Sequence, residues 1–258
     1  MAGPQYQTPP QAPPVFTATP DWILAETKKL NETTKGVYDK VVAEVQPSNA
    51  TFANVMEPIL LDDNKAAAPK RIMTFYQHVS ADAPLREASN KAEEILDDFM
   101  IDLKMREDIF KLVDAAYGTR ESQKLETEPL HVLEKERQKY IRNGLLLPAG
   151  PQRDRFKGIQ KRLSQLCIQA QKNLNEEKGA IWFTPKELEG VPADDIDVNE
   201  LEKGTGENEG KVKLSFKYNH FFPMMKYAVH EETRRTYVMA EANKVCLYST
   251  PRCGRRPP

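Results

Sequence analysis

The stretch that opens at Asp154 constrains this chain more than any other. In Arg155–Lys178 the apolar side chains Phe156, Ile159, Leu163, Leu166, Ala170 and Leu174 recur at steps of three and four, which places them on one face of an α-helix. Pro151 ahead of the run and Gly179 behind it are the expected punctuation. At about 1.5 Å per residue the helix is a rod of roughly 36 Å. Burying its large apolar side chains contributes on the order of 10 kcal/mol before entropy is subtracted. The spacing therefore predicts a helix covered by other helices, with Leu163 and Leu166 in a core. On that reading Leu166→Ala costs roughly 2–5 kcal/mol.

Composition sets the frame around this rod. With 258 residues, 29% charged and 40% hydrophobic, the chain is long enough for one large or two modest soluble domains. A net charge of −1 gives no electrostatic footprint for nucleic acid or an anionic membrane. Cys167, Cys246 and Cys253 are too few for a disulfide framework and suit a reduced, cytoplasmic protein. No apolar run approaches the ~20 residues of a membrane span, and the N-terminus lacks the basic and apolar regions of a signal peptide.

In chain order, residues 1–20 form a Pro-rich arm expected to be disordered; its Pro10-Gln11-Ala12-Pro13 is a chance-level PxxP match. A helix capped by Thr19 or Asp21 carries Trp22, Ile23, Leu30, Val37, Val41 and Val45 and is stopped by Pro47. A short helix over residues 51–61 ends at Asp62-Asp63-Asn64, with a loop through Pro69. A long pattern from Leu85 to Tyr117 has neither Gly nor Pro and shifts phase near residues 103–108, so continuous helix and kinked helix both fit it. Another helix spans Glu128–Ile141. Beyond the central rod the period drops to two. Val212, Leu214, Phe216 and Tyr218 alternate with polar residues as a strand over Lys211–Tyr218, paired with Ala180–Thr184. A last helix starts at Pro223 and runs to Lys244.

The candidate chemistry is thin. His230-Glu231-Glu232-Thr233-Arg234 imitates a zinc-peptidase helix, but that motif needs a second imidazole four residues on, and Arg234 cannot ligate zinc. His78, His131 and His220 are far apart in sequence and fit polar packing. Gly204 and Gly206 imitate half a dinucleotide fingerprint without the strand that should enter it, and Glu207 and Glu209 would repel a pyrophosphate. Asp194, Asp195 and Asp197 lack the Gly and final Glu of a calcium loop. Lys161-Arg162 and Arg234-Arg235 are ordinary solvated pairs. The residues thus assign no catalytic, cofactor-binding or metal-ligating position.

A resemblance supplies what the chemistry does not. Gln77-His78-Val79-Ser80, Met105-Arg106-Glu107-Asp108 and Arg142-Asn143-Gly144-Leu145 lead to the densest block, Arg162-Leu163-Ser164, Leu166-Cys167-Ile168 and Lys172-Asn173-Leu174-Asn175-Glu176. Phe183-Thr184, Glu187-Leu188, Gly190, Val191-Pro192, Tyr218, His220-Phe221-Phe222-Pro223, Lys226 and Glu232-Thr233-Arg234-Arg235 continue it. In this order they resemble the N-terminal part of the thimet oligopeptidase, neurolysin and saccharolysin family of zinc metallo-oligopeptidases. The resemblance implies a mainly α fold, the long-helix N-terminal domain of a neurolysin-like metallopeptidase, with one small antiparallel β-hairpin. It implies a cytoplasmic, zinc-dependent enzyme that cuts short peptides in a narrow channel. The zinc site belongs to a His-Glu-x-x-His helix in the family's C-terminal half, so no zinc is expected in this chain. Residues 21–244 would then form one wall of the channel, with the catalytic half as missing partner; the alternative is a non-enzymatic helical interaction module. Residues 245–258 depart from the family, with three arginines, three prolines and no acid. They read as a tail left by a shifted frame or an unspliced intron, with a deliberately short splice form as the weaker alternative. On that view the helix from Pro223 to Lys244, with Met224, Met225, Tyr227 and Tyr237, is the element left open to water, while Phe156–Leu174 stays protected.

Overall fold

The computed structural model describes residues 13–244; residues 1–12 of the Pro-rich arm and the atypical tail 245–258 lie outside them. The chain divides into two compact units, one up to Gln169 and one from Ala170, and the boundary falls inside a single helix. As expected, the described residues are mainly helical, with one small two-stranded antiparallel hairpin.

The first unit opens with α1 (Pro20–Glu44). Pro20 occupies its first turn, where no N–H is needed, and the Thr19 hydroxyl accepts the Trp22 N–H at 3.3 Å. Ahead of it Phe16 packs on Phe75 and Tyr76, with ring centroids 5.8 and 5.9 Å away. The second helix departs from expectation. A π-turn at Phe52–Met56, capped reciprocally by Thr51 and Asn54, runs straight into α2 (Glu57–Val79). Neither Asp62-Asp63-Asn64 nor Pro69 ends it. Proline removes one intrahelical hydrogen bond. Here Ile59 and Ala66 are buried ahead of it and Met73 and Tyr76 behind it, so packing on both sides holds the helix through the defect.

The long pattern after Ala83 resolves as a break, not a single rod. α3 (Ala83–Lys104) stops at Met105 and α4 (Glu107–Gly118) begins after Arg106. Arg106 has extended backbone angles, and its guanidinium donates to Asp39 at 2.5 Å and to Asp108 at 2.7 Å. α5 (Thr127–Tyr140) ends in a second π-turn, Ile141–Leu145, where Gly144 takes φ +88° and the Phe156 ring lies 3.2 Å from the place a Cβ would occupy. Two cores result. One gathers Val41, Phe52, Val55, Ile109, Leu112 and Leu133; the other holds Ile23, Met73, Tyr76, Ala88 and Ala92.

The central helix α6 (Pro151–Asn175) has the expected span but not the expected orientation. Its inner side is polar. Ser164 Oγ donates to Asp97 at 2.5 Å, Lys157 and Lys161 reach Asp102 at 3.0 and 2.8 Å, Gln160 donates to Asn143 at 3.1 Å, and Arg153 pairs with Glu107. The apolar stripe faces outward, with Ile159 56%, Leu163 60% and Leu166 48% exposed. The expectation of a covered Leu163 and Leu166 is therefore wrong. Amphipathicity fixed the helix, but acids on α3 and α4 matched its polar side and turned the stripe to water.

In the second unit β1 (Ala180–Phe183) pairs antiparallel with β2 (Val212–Ser215), Ile181 opposite Leu214 and Phe183 opposite Val212. The second strand is shorter than its alternation suggested. Ser215 gives its N–H to His220 Nδ1 at 3.0 Å instead of to a ladder, and the chain enters α7 (Tyr218–Tyr227). Pro223 lies inside that helix, not at its start. The single helix expected to Lys244 is two, because Val229 donates its N–H to the Glu189 carbonyl at 2.9 Å before α8 (Glu231–Ala242) begins. Met224 and Tyr237 are fully buried with Phe183, Leu214 and Phe216. Of the four residues expected to lie open, Met224 and Tyr237 are covered, Met225 and Tyr227 are half-buried, and Val229 and Met239 nearby do stand open.

Candidate functional site

The residues weighed as chemistry fall into structural roles. His230 pairs with Glu189 at 3.2 Å on an exposed surface. At the position where a peptidase would place its second imidazole, the Arg234 guanidinium instead donates to the carbonyls of Ala228 and Val229, the latter at 3.0 Å. That fastens α8 to the turn before it and leaves no second imidazole for a metal. His220 accepts the Ser215 N–H where β2 ends, and burial pushes its pKa down. His78 and His131 are exposed and far from both in sequence.

Asp195 and Asp197 line an open cavity of about 560 Å³ in the second unit with Glu200, Glu202, Lys178 and Lys213. Lys213 already holds Glu202 at 2.9 Å, and the Asp197 carboxylate is engaged by the backbone and side chain of Asn199. Among the described residues no three His, Cys, Asp or Glu side chains form a group that could hold a metal ion. Gly204 serves a turn: a Cβ there would meet the Asn208 carbonyl oxygen at 1.9 Å. Its N–H donates to Lys211 at 2.8 Å, which closes the glycine loop on itself. The described residues do not fit zinc.

A cavity of about 810 Å³ in the first unit lies beside the break between α3 and α4. Lys35, Arg106 and Lys111 face Asp39, Glu107 and Asp108 across it, three charges of each sign. Hydrogen bonds from Lys35 and then Arg106 hold Asp39 below the usual carboxylate range, and Arg106 does the same for Asp108. This is a self-neutralising network that braces the break. A smaller cavity of about 150 Å³ holds Tyr38, Asp63, Lys104, Glu136 and Tyr140. Burial raises the pKa of Asp63 and of both tyrosines.

What remains is the outer face of α6. Phe156, Ile159, Leu163 and Leu166 lie at helical steps, with Phe156 half-buried and the others open. Arg155 and Arg162, one helical heptad apart on one edge, make no ion pair, and from residue 155 to 175 there is no acid at all. Cys167 is a free, exposed thiol on the opposite edge. Reading the stripe as core hid this surface; the missing acids were the signal that one edge carried unpaired charge.

No protein-family profile matches the chain. Individual proteins do. Saccharolysin of Saccharomyces cerevisiae is 36% identical over 239 residues, 92% of this chain and 33% of its own. Oligopeptidase PhomG' of Diaporthe leptostromiformis is 34% identical over 238 residues, 91% of this chain and 20% of its own. The thimet-like oligopeptidase of Dictyostelium discoideum is 29% identical over 234 residues, covering 88% and 34%. The chain spans about a third or less of the length of these relatives. Over nearly all of its own length, then, this chain is a homologue of the thimet oligopeptidase and saccharolysin family of peptidases.

Proposed function

We propose that this chain is the N-terminal, non-catalytic wall of an oligopeptidase that hydrolyses short peptides with zinc supplied at a site on the remaining two thirds of such an enzyme. The observation that carries the reading is a match over nine tenths of this chain and only a third of saccharolysin, with no group that could hold a metal ion among the described residues. In that role the helices restrict which substrates reach the reactive centre and support the catalytic half; they move no proton and hold no ion. Cytoplasmic residence belongs to the same proposal and rests on the family resemblance and the sparse cysteines.

The test uses the purified 258-residue chain. Metal analysis should find zinc well below one equivalent, and a quenched short peptide should show no chelator-sensitive cleavage. Stoichiometric zinc with turnover abolished by chelator would overturn the reading. The open face of α6 favours a second reading, a non-enzymatic helical module that binds another protein. It predicts the same silence in the peptidase assay together with saturable binding through Leu163 and Leu166.

A further inference from the structure

The outer face of α6 has one apolar stripe and charge on one side only, which specifies what can cover it. Resting on the reading of the chain as one wall of a larger peptidase, we propose that Phe156, Ile159, Leu163 and Leu166 seat an amphipathic helix of the catalytic portion. That helix carries acidic side chains along the edge that meets Arg155 and Arg162.

Four apolar positions at successive helical steps are the footprint of a single helix laid alongside. Arg155 and Arg162 lie seven residues apart, about 10.5 Å along the axis, so acids spaced by one heptad on the incoming helix face both. The remaining cations on the polar side are spoken for: Lys157 and Lys161 hold Asp102, and Arg153 holds Glu107. A second copy of the chain is a poor occupant, since it brings five more cations and no acid over residues 155–175. An anionic membrane is poor as well. Polybasic membrane segments gather about 4–8 free Lys or Arg, and this edge offers two.

The experiment presents the full 258-residue chain to overlapping peptides of about 20 residues, long enough for a stable helical face, that tile saccharolysin outside its matched third. Parallel arms use phosphatidylserine vesicles and sedimentation of the chain alone. The expected result is binding to a peptide with a leucine stripe and an acidic edge, weakened as salt rises. Binding should protect Cys167 from alkylation, disappear in L163S/L166S and fall about tenfold in R155E/R162E. Arg155 and Arg162 make no ion pair in the fold, and circular dichroism serves to check that the variant is folded. Binding that disappears in L163S/L166S but ignores R155E/R162E overturns the acidic edge and leaves the wall reading standing. Binding insensitive to Leu163 and Leu166, capture by vesicles alone, or self-association through the same leucines overturns the docking face itself. A chain that binds no peptide but cleaves one with bound zinc overturns the wall reading instead.

Discussion

Single carboxylates in the first unit respond to acid in opposite senses. Burial pushes the Asp102 carboxyl up, but hydrogen bonds from Lys161 and Lys157 outweigh it and hold the pKa below the usual carboxylate range. A folded-state pKa below the unfolded one stabilises above the unfolded pKa of about 3.9, and the contribution is lost as pH falls through the folded value. Asp102→Asn should therefore speed amide exchange in the first half of α6 at neutral pH. The difference from wild type should shrink toward pH 3, and an unchanged difference would mean the anchor is not ionic. Asp63 has the reverse sign, its pKa raised by burial against a lesser pull from Lys70. Its ionised form opposes folding above the raised pKa, so Asp63→Asn should raise the melting temperature at pH 7 and lose that advantage as pH falls below about 4. Gly190 tests geometry alone. It takes φ +94°, and a Cβ there would meet the Tyr227 carbonyl oxygen at 2.5 Å. Gly190→Ala should destabilise by more than ~1 kcal/mol in a urea melt.

Among elements, orientation was harder to read than existence. The 3.6-residue period placed a helix at Phe156–Leu174, and Thr19 and Pro47 marked the ends of α1 as observed. What periodicity cannot say is which side of a helix has a neighbour. The polar side of α6 found Asp97, Asp102 and Glu107, acids some 50 to 70 residues earlier whose placement depends on how α3 and α4 pack. Pro69 misled for a related reason, since tertiary burial on both sides outweighs the local defect. The open stripe was likewise misread as core, because its amphipathic spacing is the same whether it meets a domain or water. The energetic consequence is direct. Leu166→Ala should change stability by less than ~1 kcal/mol, whereas Leu133→Ala, at a fully buried position, should cost about 2–5 kcal/mol. In the second unit the Tyr237 hydroxyl donates to the Ser215 carbonyl at 2.5 Å and ties α8 to the end of β2. Tyr237→Phe should cost about 1 kcal/mol and loosen that helix first in amide exchange.

For the whole molecule, the way α6 is fastened makes added salt a selective reagent. The cores built on Leu112, Leu133, Met73 and Tyr237 are held by exclusion of water, which sulfate reinforces. The half of α6 before Ser164 is held in large part by ion pairs to Asp102 and Glu107 that stand partly in solvent. Sodium chloride shortens the reach of such pairs to about 3 Å at 1 M. Rising sodium chloride should therefore release this half of α6 to exchange while α4 and α5 stay closed, and sulfate at equal ionic strength should tighten the cores as it loosens the rod. A protein built this way carries an ionic seam beside hydrophobic cores, and its most salt-sensitive segment is the one that bears the open stripe of Ile159, Leu163 and Leu166.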